Sequence, residues 1–308
     1  MELNKRSIRV EILQYNKDGE TVFSKVFTDN ISVKFYFEKF VGNAFFGRGK
    51  VSIGGLDKTT VEKLTTICGE EQAKQERKQI KIEAGYEGKK QALIIDGTII
   101  SAVPTVPPDV WVECELINGI ERNKKMKSIS LKGEFDIKEL AEAIALQLNL
   151  KNGVDCRIKN DSYGKRFYQR KSKNVSFIGN AQRAVGLITQ SYSFEKGDVF
   201  GVPKAYIDNE TLIVDYSNFG RVESKQRTHH KINKDNGMVG LPEISNAGTI
   251  ANITTILNPE IMTGEIIDLE SYMIPKANGQ YNVIGITYTG DYRGNTWYSM
   301  FHCRRITE

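Results

Sequence analysis

The chain is poor in the residues from which metal centres, disulfide scaffolds and nucleophilic enzymes are built. It has only 4 cysteines and 3 histidines in 308 residues. Cys68, Cys114, Cys156 and Cys303 lie far apart, with no C-x-x-C pair to supply the close ligands of a tetrahedral zinc site. Free, mostly buried thiols are expected. Long hydrophobic runs are missing too: no stretch of about 18 apolar residues exists, so no membrane-spanning helix is expected. The opening Met1-Glu2-Leu3-Asn4-Lys5-Arg6 carries basic residues with no apolar stretch behind them, so no secretory signal is expected, and synthesis and folding in a cytoplasm are expected. Charge of one sign is scarce, since 43 basic residues face 38 acidic ones. That surplus is too mild for a protein whose main task is holding nucleic acid. A hydrophobic content of 40% and a length of 308 residues suit a globular chain of two or three domains.

Motifs that carry chemistry are also missing. Gly47-Arg48-Gly49-Lys50 has neither the third glycine nor the following long helix of a dinucleotide or phosphate loop, and Gly54-Gly55 only follows a strand. No G-x-S-x-G pentapeptide marks a nucleophile elbow. His302 and Cys303 are sequence neighbours, and neighbours on a strand point to opposite faces. Glu134 and Asp136 could be read as the paired carboxylates of a cell-wall hydrolase. Both stand at a helix start, where acids are expected for capping and dipole reasons alone. His229-His230 has no acid at ligand spacing and reads as a solvated pair. The stretch from Arg157 to Lys173 interleaves Arg157, Lys159, Lys165, Arg166, Arg170, Lys171 and Lys173 with Tyr163, Phe167 and Tyr168. It fits a strand of nucleic acid, an exposed hairpin or a charged contact with a partner. No catalytic, cofactor-binding or metal-binding residue is assigned, and no enzyme is expected.

What the chain does have is alternation. Ser7–Ile12, Ile31–Phe37, Val51–Ile53, Ile80–Ala84 and Leu93–Ile99 repeat every two residues, as half-buried strands do. Asp57 can cap a short helix carrying Val61, Leu64 and Ile67. Pro104-Thr105-Val106-Pro107-Pro108-Asp109 breaks the pattern, since adjacent prolines cannot sit in a central strand. Val112–Leu116 then alternates. Ile137, Leu140, Ala141, Ile144, Ala145 and Leu148 form a helical stripe, opened by a capping box of Asp136 with Glu139 and stopped at Asn152-Gly153. A second strand-to-helix unit has Asn174–Ile178, Asn180 as cap, and Ala184, Val185, Leu187 and Ile188 inward. Ala205–Ile207 and Leu212–Val214 form a hairpin around Asp208-Asn209. Arg221 to Gly237 is polar and aperiodic and reads as a linker or exposed loop. Strands return at Glu265–Leu269, Tyr281–Ile286 and Thr296–Phe301, with Gly290–Asn295 as a hairpin loop. The blocks run all-β, then mixed, then all-β.

The C-terminal block contains an ordered series: Gly240-Leu241-Pro242, Leu257-Asn258-Pro259, Gly264, Asn278-Gly279-Gln280-Tyr281-Asn282-Val283, Gly290-Asp291 and Gly294 to Trp297. It resembles the closing barrel of the baseplate hub proteins of contractile-tailed bacteriophages, a family related to the base of type VI secretion spikes. Val51–Leu56, Ile82–Tyr86 and Asp96-Gly97-Thr98-Ile99 resemble that family's first barrel. Tyr288 departs from the pattern, where histidine is more usual. The resemblance implies a mainly β fold with an α+β insertion: two tail-tube-like antiparallel barrels, residues 1–109 and 237–308, joined by a mixed α/β portion, residues 110–236. It further implies a structural virion protein, a homotrimer that adapts a sixfold tail tube to a threefold spike and lines the channel for DNA ejection. Its partners would be the tail tube protein, the central spike, and baseplate wedge and tape measure proteins, with no sequence-specific nucleic acid. Because the chain stops at Glu308 without a repetitive β-helix, the spike is expected to be a separate protein. Two rival readings stand beside this one, an OB-like nucleic-acid-binding module and a lytic tail enzyme. Phe35, Phe37, Phe45 and Phe46 are candidates for either core or interface.

Overall fold

The computed structural model describes residues 5–16, 20–40, 47–65, 77–88, 91–106, 110–118, 128–150, 152–156, 171–192, 204–208, 211–215 and 228–306. Phe45, Phe46, Ile67, Cys68, Pro107–Asp109, Asn209, the Arg157–Arg170 part of the basic-aromatic stretch and residues 221–227 lie outside them.

Alternation produces the sheet. In β1 (Arg6–Tyr15) Ile8, Val10 and Ile12 are buried, and in β3 (Ser32–Phe40) Val33, Phe35 and Phe37 are buried while Lys34 and Tyr36 are exposed. Burying a side chain of this size contributes about 1.5–3 kcal/mol. Phe35 and Phe37 are therefore core, not interface. β4 (Gly47–Gly54) follows the same alternation, β2 (Thr21–Thr28) does not, and α1 (Lys58–Leu64) comes next, its first turn capped by Asp57, which accepts from the Thr60 amide at 3.1 Å. β5 (Arg77–Tyr86), β6 (Ala92–Pro104) and β7 (Trp111–Asn118) complete the N-terminal strands.

The C-terminal strands are β13 (His229–Ile232), β14 (Glu243–Ser245), β15 (Ile250–Ile256), β16 (Ile266–Leu269), β17 (Gly279–Asp291) and β18 (Trp297–Arg305). They do not form a separate sheet. One edge of β17 pairs with β16 over Gly279–Asn282 and, further along, with β3, where Gly285–Asp291 lie opposite Phe40–Lys34. The result is a single thirteen-stranded sheet in the order β14-β15-β18-β17-β3-β4-β7-β6-β5-β1-β2, with β16 beside β17 and β13 beside β16. One apolar core runs beneath it, from Ile8 and Phe37 through Tyr288 and Phe301 to Cys303. The fold is mainly β and antiparallel, and no ladder closes into a barrel among the described residues.

Between β7 and β13 the chain makes a separate α+β insert: β8 (Ile129–Phe135), α2 (Ile137–Gln147), β9 (Val154–Cys156), β10 (Ser172–Phe177), α3 (Ala181–Tyr192), β11 (Lys204–Asp208) and β12 (Thr211–Asp215). Its core is its own, with the α2 stripe packed on Ala184, Val185 and Ile188 of α3 and on Leu212 and Val214. The expected capping box is present, with both the Asp136 and Glu139 side chains bonded to backbone amides. The expected stop is displaced. α2 ends at Gln147, and Asn149 takes the left-handed conformation (φ 53°) ahead of Asn152-Gly153. Because the insert has its own core, Asp136→Ala should cost about 1 kcal/mol locally. Hydrogen exchange should speed up in the α2 amides and stay unchanged in β3 and β17.

The sequence reading of residues 221–237 as linker or loop needs correction. His229–Ile232 is a strand, paired in parallel with β16 so that His230 lies opposite Ile267. Four residues are too few to show a period, so the pattern gave no sign of it.

Candidate assembly interface

The Gly290–Trp297 series sits where the two ends of the chain meet. The β17–β18 loop is closed by the Asp291 amide donating to the Thr296 carbonyl at 2.7 Å. The Asp291 carboxylate accepts from the Arg293 and Gly294 amides at 3.2 and 2.9 Å, an Asx turn that fixes the loop. The loop then grips the start of the chain. The Tyr292 amide donates to the Val33 carbonyl at 2.9 Å and the Tyr292 hydroxyl to Asp29 at 2.7 Å. Burial and that bond to Asp29 push the Tyr292 hydroxyl up to about 12, so it stays a donor. Arg6, at the head of β1, donates to the Asp291 and Gly294 carbonyls at 2.9 and 2.6 Å and to the Asn295 carbonyl at 3.3 Å.

Beneath the loop lies Trp297, 2% exposed. Phe35 meets it edge-on at 5.5 Å, Tyr292 lies at 6.1 Å, and the Arg6 guanidinium sits 5.3 Å from its ring. At Gly290 an added Cβ would stand 2.2 Å from the Phe35 ring, so a larger residue would force that ring off Trp297. The seam joins side chains from β1, β3 and the β17–β18 hairpin, and so fixes how the N-terminal strands roll against the C-terminal ones.

Around β3, β4, β7 and β17 the sheet face away from the core carries ion pairs. Lys34–Asp291 (3.8 Å), Arg48–Glu38 (3.6 Å) and Lys50–Glu115 (3.2 Å) cross it. Such exposed pairs add little stability each, but they make a wall balanced in charge. Further along, a hydrogen-bonded line crosses four strands. Thr287 Oγ1 lies 2.9 Å from His302 Nε2, His302 Nδ1 lies 2.9 Å from Asn252 Oδ1, and the Asn252 amide reaches Glu243 at 3.3 Å. With Asn252 accepting, Nδ1 donates, and Nε2 is left to accept from the hydroxyl. Thr287 is only 7% exposed, so the line ties strands together and presents no accessible nucleophile.

Burial holds the His302 imidazole below its ordinary range, against the opposing pull of Glu38 and Glu243. A folded chain that takes up the proton less readily than the unfolded one keeps this stabilisation in full above the unfolded value of about 6.5 and loses it as pH falls below that. His302→Asn should flatten the loss of Tm between about pH 7.5 and 5.5. An unchanged slope would show that His302 does not contribute.

His229 and His230 are not a solvated pair. His229 Nδ1 lies 2.9 Å from Asp268 and His230 Nε2 lies 2.8 Å from Glu265, while Lys231 meets Glu270 at 2.8 Å. The acids lie in β16 or directly beside it, some 35 to 39 residues on, a distance no local spacing could reveal. Glu134 is exposed and held below the ordinary carboxylate range by its bond to Lys173, so it is an ionised surface acid, while Asp136 caps α2. Cys114, Cys156 and Cys303 are free thiols. Burial drives the Cys114 thiol up to about 12 and Cys303 higher still, which makes both poor nucleophiles. Of the basic-aromatic stretch, Lys171 and Lys173 are placed, each paired with an acid at the α2 entrance.

The two ends of the main strand order are β2 and β14, and β13, paired only with β16, is a further edge among the described residues. β2 shows Val22 and Val26 on its outward side, 57% and 44% exposed, and β14 is three residues long.

Solved structures that superpose on this chain include tail and secretion proteins. The tail protein from Neisseria meningitidis MC58 superposes with a TM-score of 0.58 at 9% identity, covering 96% of each chain. A chain of the Francisella PdpA–VgrG complex gives 0.54 at 9% identity, covering 98% of this chain and 58% of that one. The E. coli c3393 protein, described as a type VI secretion component with structural similarity to T4 tail proteins gp27 and gp5, gives 0.50 at 10% identity, covering 90% of this chain and 74% of its own. At such identities the likeness shows the fold alone. No curated protein matches the sequence. The class is nevertheless settled by sequence: it is that of structural proteins of the phage tail baseplate. Residues 9–303 match the family described as Baseplate hub gp41, and the chain belongs to that family. It is thereby a component of the virion tail. Among the described residues no helix is long and apolar enough to cross a membrane.

Proposed function

We propose that the chain is the trimeric hub of the baseplate, presenting a sixfold face to the tail tube and a threefold face to the spike, with its ion-paired sheet face lining the channel for DNA. The observation that supports this best is the β3–β17 ladder, which makes two sheet-rich ends of one polypeptide into one continuous wall. A ring of three such chains offers six wall segments, which reconciles the two symmetries. The segments would correspond to residues 1–109 and 237–308 as two tube-like units, with 110–236 between them. Under this reading the open edges of β2 and β14 lie at opposite ends of the sheet, as a closed head-to-tail ring requires. A charge-balanced wall suits a conduit, because a strongly basic one would hold DNA instead of passing it. Tube protein, central spike, wedge and tape measure proteins are the expected neighbours, and assembly takes place in the host cytoplasm. Light scattering and native mass measurement on the purified chain test the reading. A mass of three chains, with a ring in negative stain, is expected, and a stable monomer at tail-like local concentration would contradict it.

A further inference from the structure

The loop between β16 and β17 holds two large apolar side chains out into solvent on a backbone that is pinned on both sides. Tyr272 is 80% exposed and Met273 66%. Flexible loops often expose such residues, but this one is built rigidly. The Glu270 amide donates to the Ile232 carbonyl at 2.9 Å, and the Ser271 amide donates to the Asn278 side chain at 2.6 Å. The Ile274 amide donates to the Ser271 hydroxyl at 3.2 Å, and Ile274 packs against the main core. Pro275–Ala277 then form one 3₁₀ turn, with Ala277 2% exposed. Ordering two apolar side chains outward gives the isolated chain no return, since they leave water only if something covers them. A preorganised aromatic with a methionine beside it is the composition of an interface anchor.

The surroundings select the partner by charge. Lys234 lies over the Tyr272 ring at 5.7 Å. On the other side Arg305 donates to the Lys276 and Asn278 carbonyls at 3.1 and 2.8 Å, which brings two cations to the base of the loop. Glu270, the loop's one acid, is neutralised by Lys231 at 2.8 Å, leaving Asp235 as the remaining acid of the adjacent turn. The loop also sits at the strand end opposite the Asp291–Trp297 seam, because β17 begins at Gly279 and ends at Asp291.

We infer that Tyr272 and Met273 form a docking knob that enters an apolar pocket rimmed by carboxylates on a different tail protein, an axial neighbour of the hub. This rests on the hub reading above and adds to it a contact and the chemistry of its partner. The test uses whole tails assembled from the full-length chain. With Tyr272→p-benzoylphenylalanine, irradiation should cross-link the chain to one other tail protein, at a segment with Asp or Glu flanking apolar residues. Tails carrying Tyr272→Ser together with Met273→Ser should keep the hub chain at its normal amount and lose that protein about tenfold or more. Lys234→Glu should weaken the contact at low salt and make it less sensitive to added salt, because a repulsion replaces an attraction. Cross-linking only to another copy of the same chain, or to nothing, overturns the inference, as does full retention of the partner in the double variant. Absence of the chain from wild-type tails would instead bring down the hub reading, and the knob with it.

Discussion

Trp297→Ala should destabilise the large sheet by about 3–5 kcal/mol, the range for deleting a buried aromatic and leaving the cavity behind. The site has no easy way to collapse. Phe35 is held edge-on against the indole, Arg6 caps it while bonded to three carbonyls, and Gly290 keeps the β17 backbone pressed to the Phe35 ring. Losing the ring also frees the Asp291–Asn295 loop from its support, so the Tyr292–Asp29 and Arg6 bonds should weaken with it. Trp297→Phe should cost far less. The indole N–H finds no acceptor among the described residues, so phenylalanine removes a buried donor that contributes nothing. Chemical denaturation of the two variants checks both numbers. Near-equal losses for alanine and phenylalanine would mean that the indole nitrogen carries more than its surroundings indicate.

Gly49→Ala should cost about 3 kcal/mol, the upper part of the usual range for overpacking. Gly49 lies opposite Phe37 in the β3–β4 ladder. An added Cβ would stand 2.2 Å from the Tyr36 carbonyl oxygen and 2.8 Å from the Phe37 Cα, with the Phe37 ring at 2.6 Å. A ring can turn away, but a backbone carbonyl in a ladder cannot move without breaking the pairing. The double variant Gly49→Ala, Phe37→Leu should therefore stay destabilised. If trimming the ring rescued it, the obstacle would be the side chain and not the main chain. β3 is also the strand that joins the N-terminal half to β17, so this substitution should impair any assembly that needs the continuous wall.

Much of this was legible in the residues. Strands with one buried face declared themselves through alternation, as at Ile31–Phe37 and Ile80–Ala84, and the Asp136–Glu139 capping box marked the start of α2 to the residue. The Gly290–Asn295 loop was readable as a hairpin from its glycines. What stayed hidden was long-range. Nothing local in Phe35 or Thr289 says that β3 will pair with β17, some 250 residues away. β2 was missed because Val22 and Val26 sit on its exposed side, so its apolar residues do not keep to one face. β13 gives no local sign of itself, because the acids that meet its histidines, Asp268 in β16 and Glu265 just before it, lie far along the chain. The seam was half visible. The series from Gly290 to Trp297 was one part of the spaced pattern that resembled the family, but Arg6 was only one basic residue in an undistinguished beginning, and its three carbonyl acceptors exist only in the fold.

The physical logic is that of a wall made from both ends of a chain and fastened by side chains at one seam. The insert, with its own core, adds a body that can vary without disturbing the wall. The measurement that tests this most directly is electron cryomicroscopy of the isolated tail end at side-chain resolution. The account predicts three copies of the chain around the axis, the strand 34–40 hydrogen-bonded to 285–291 within each copy, and six tube-like units facing the tube. A single copy on the axis, or β3 and β17 paired with strands of other chains instead of each other, would contradict it.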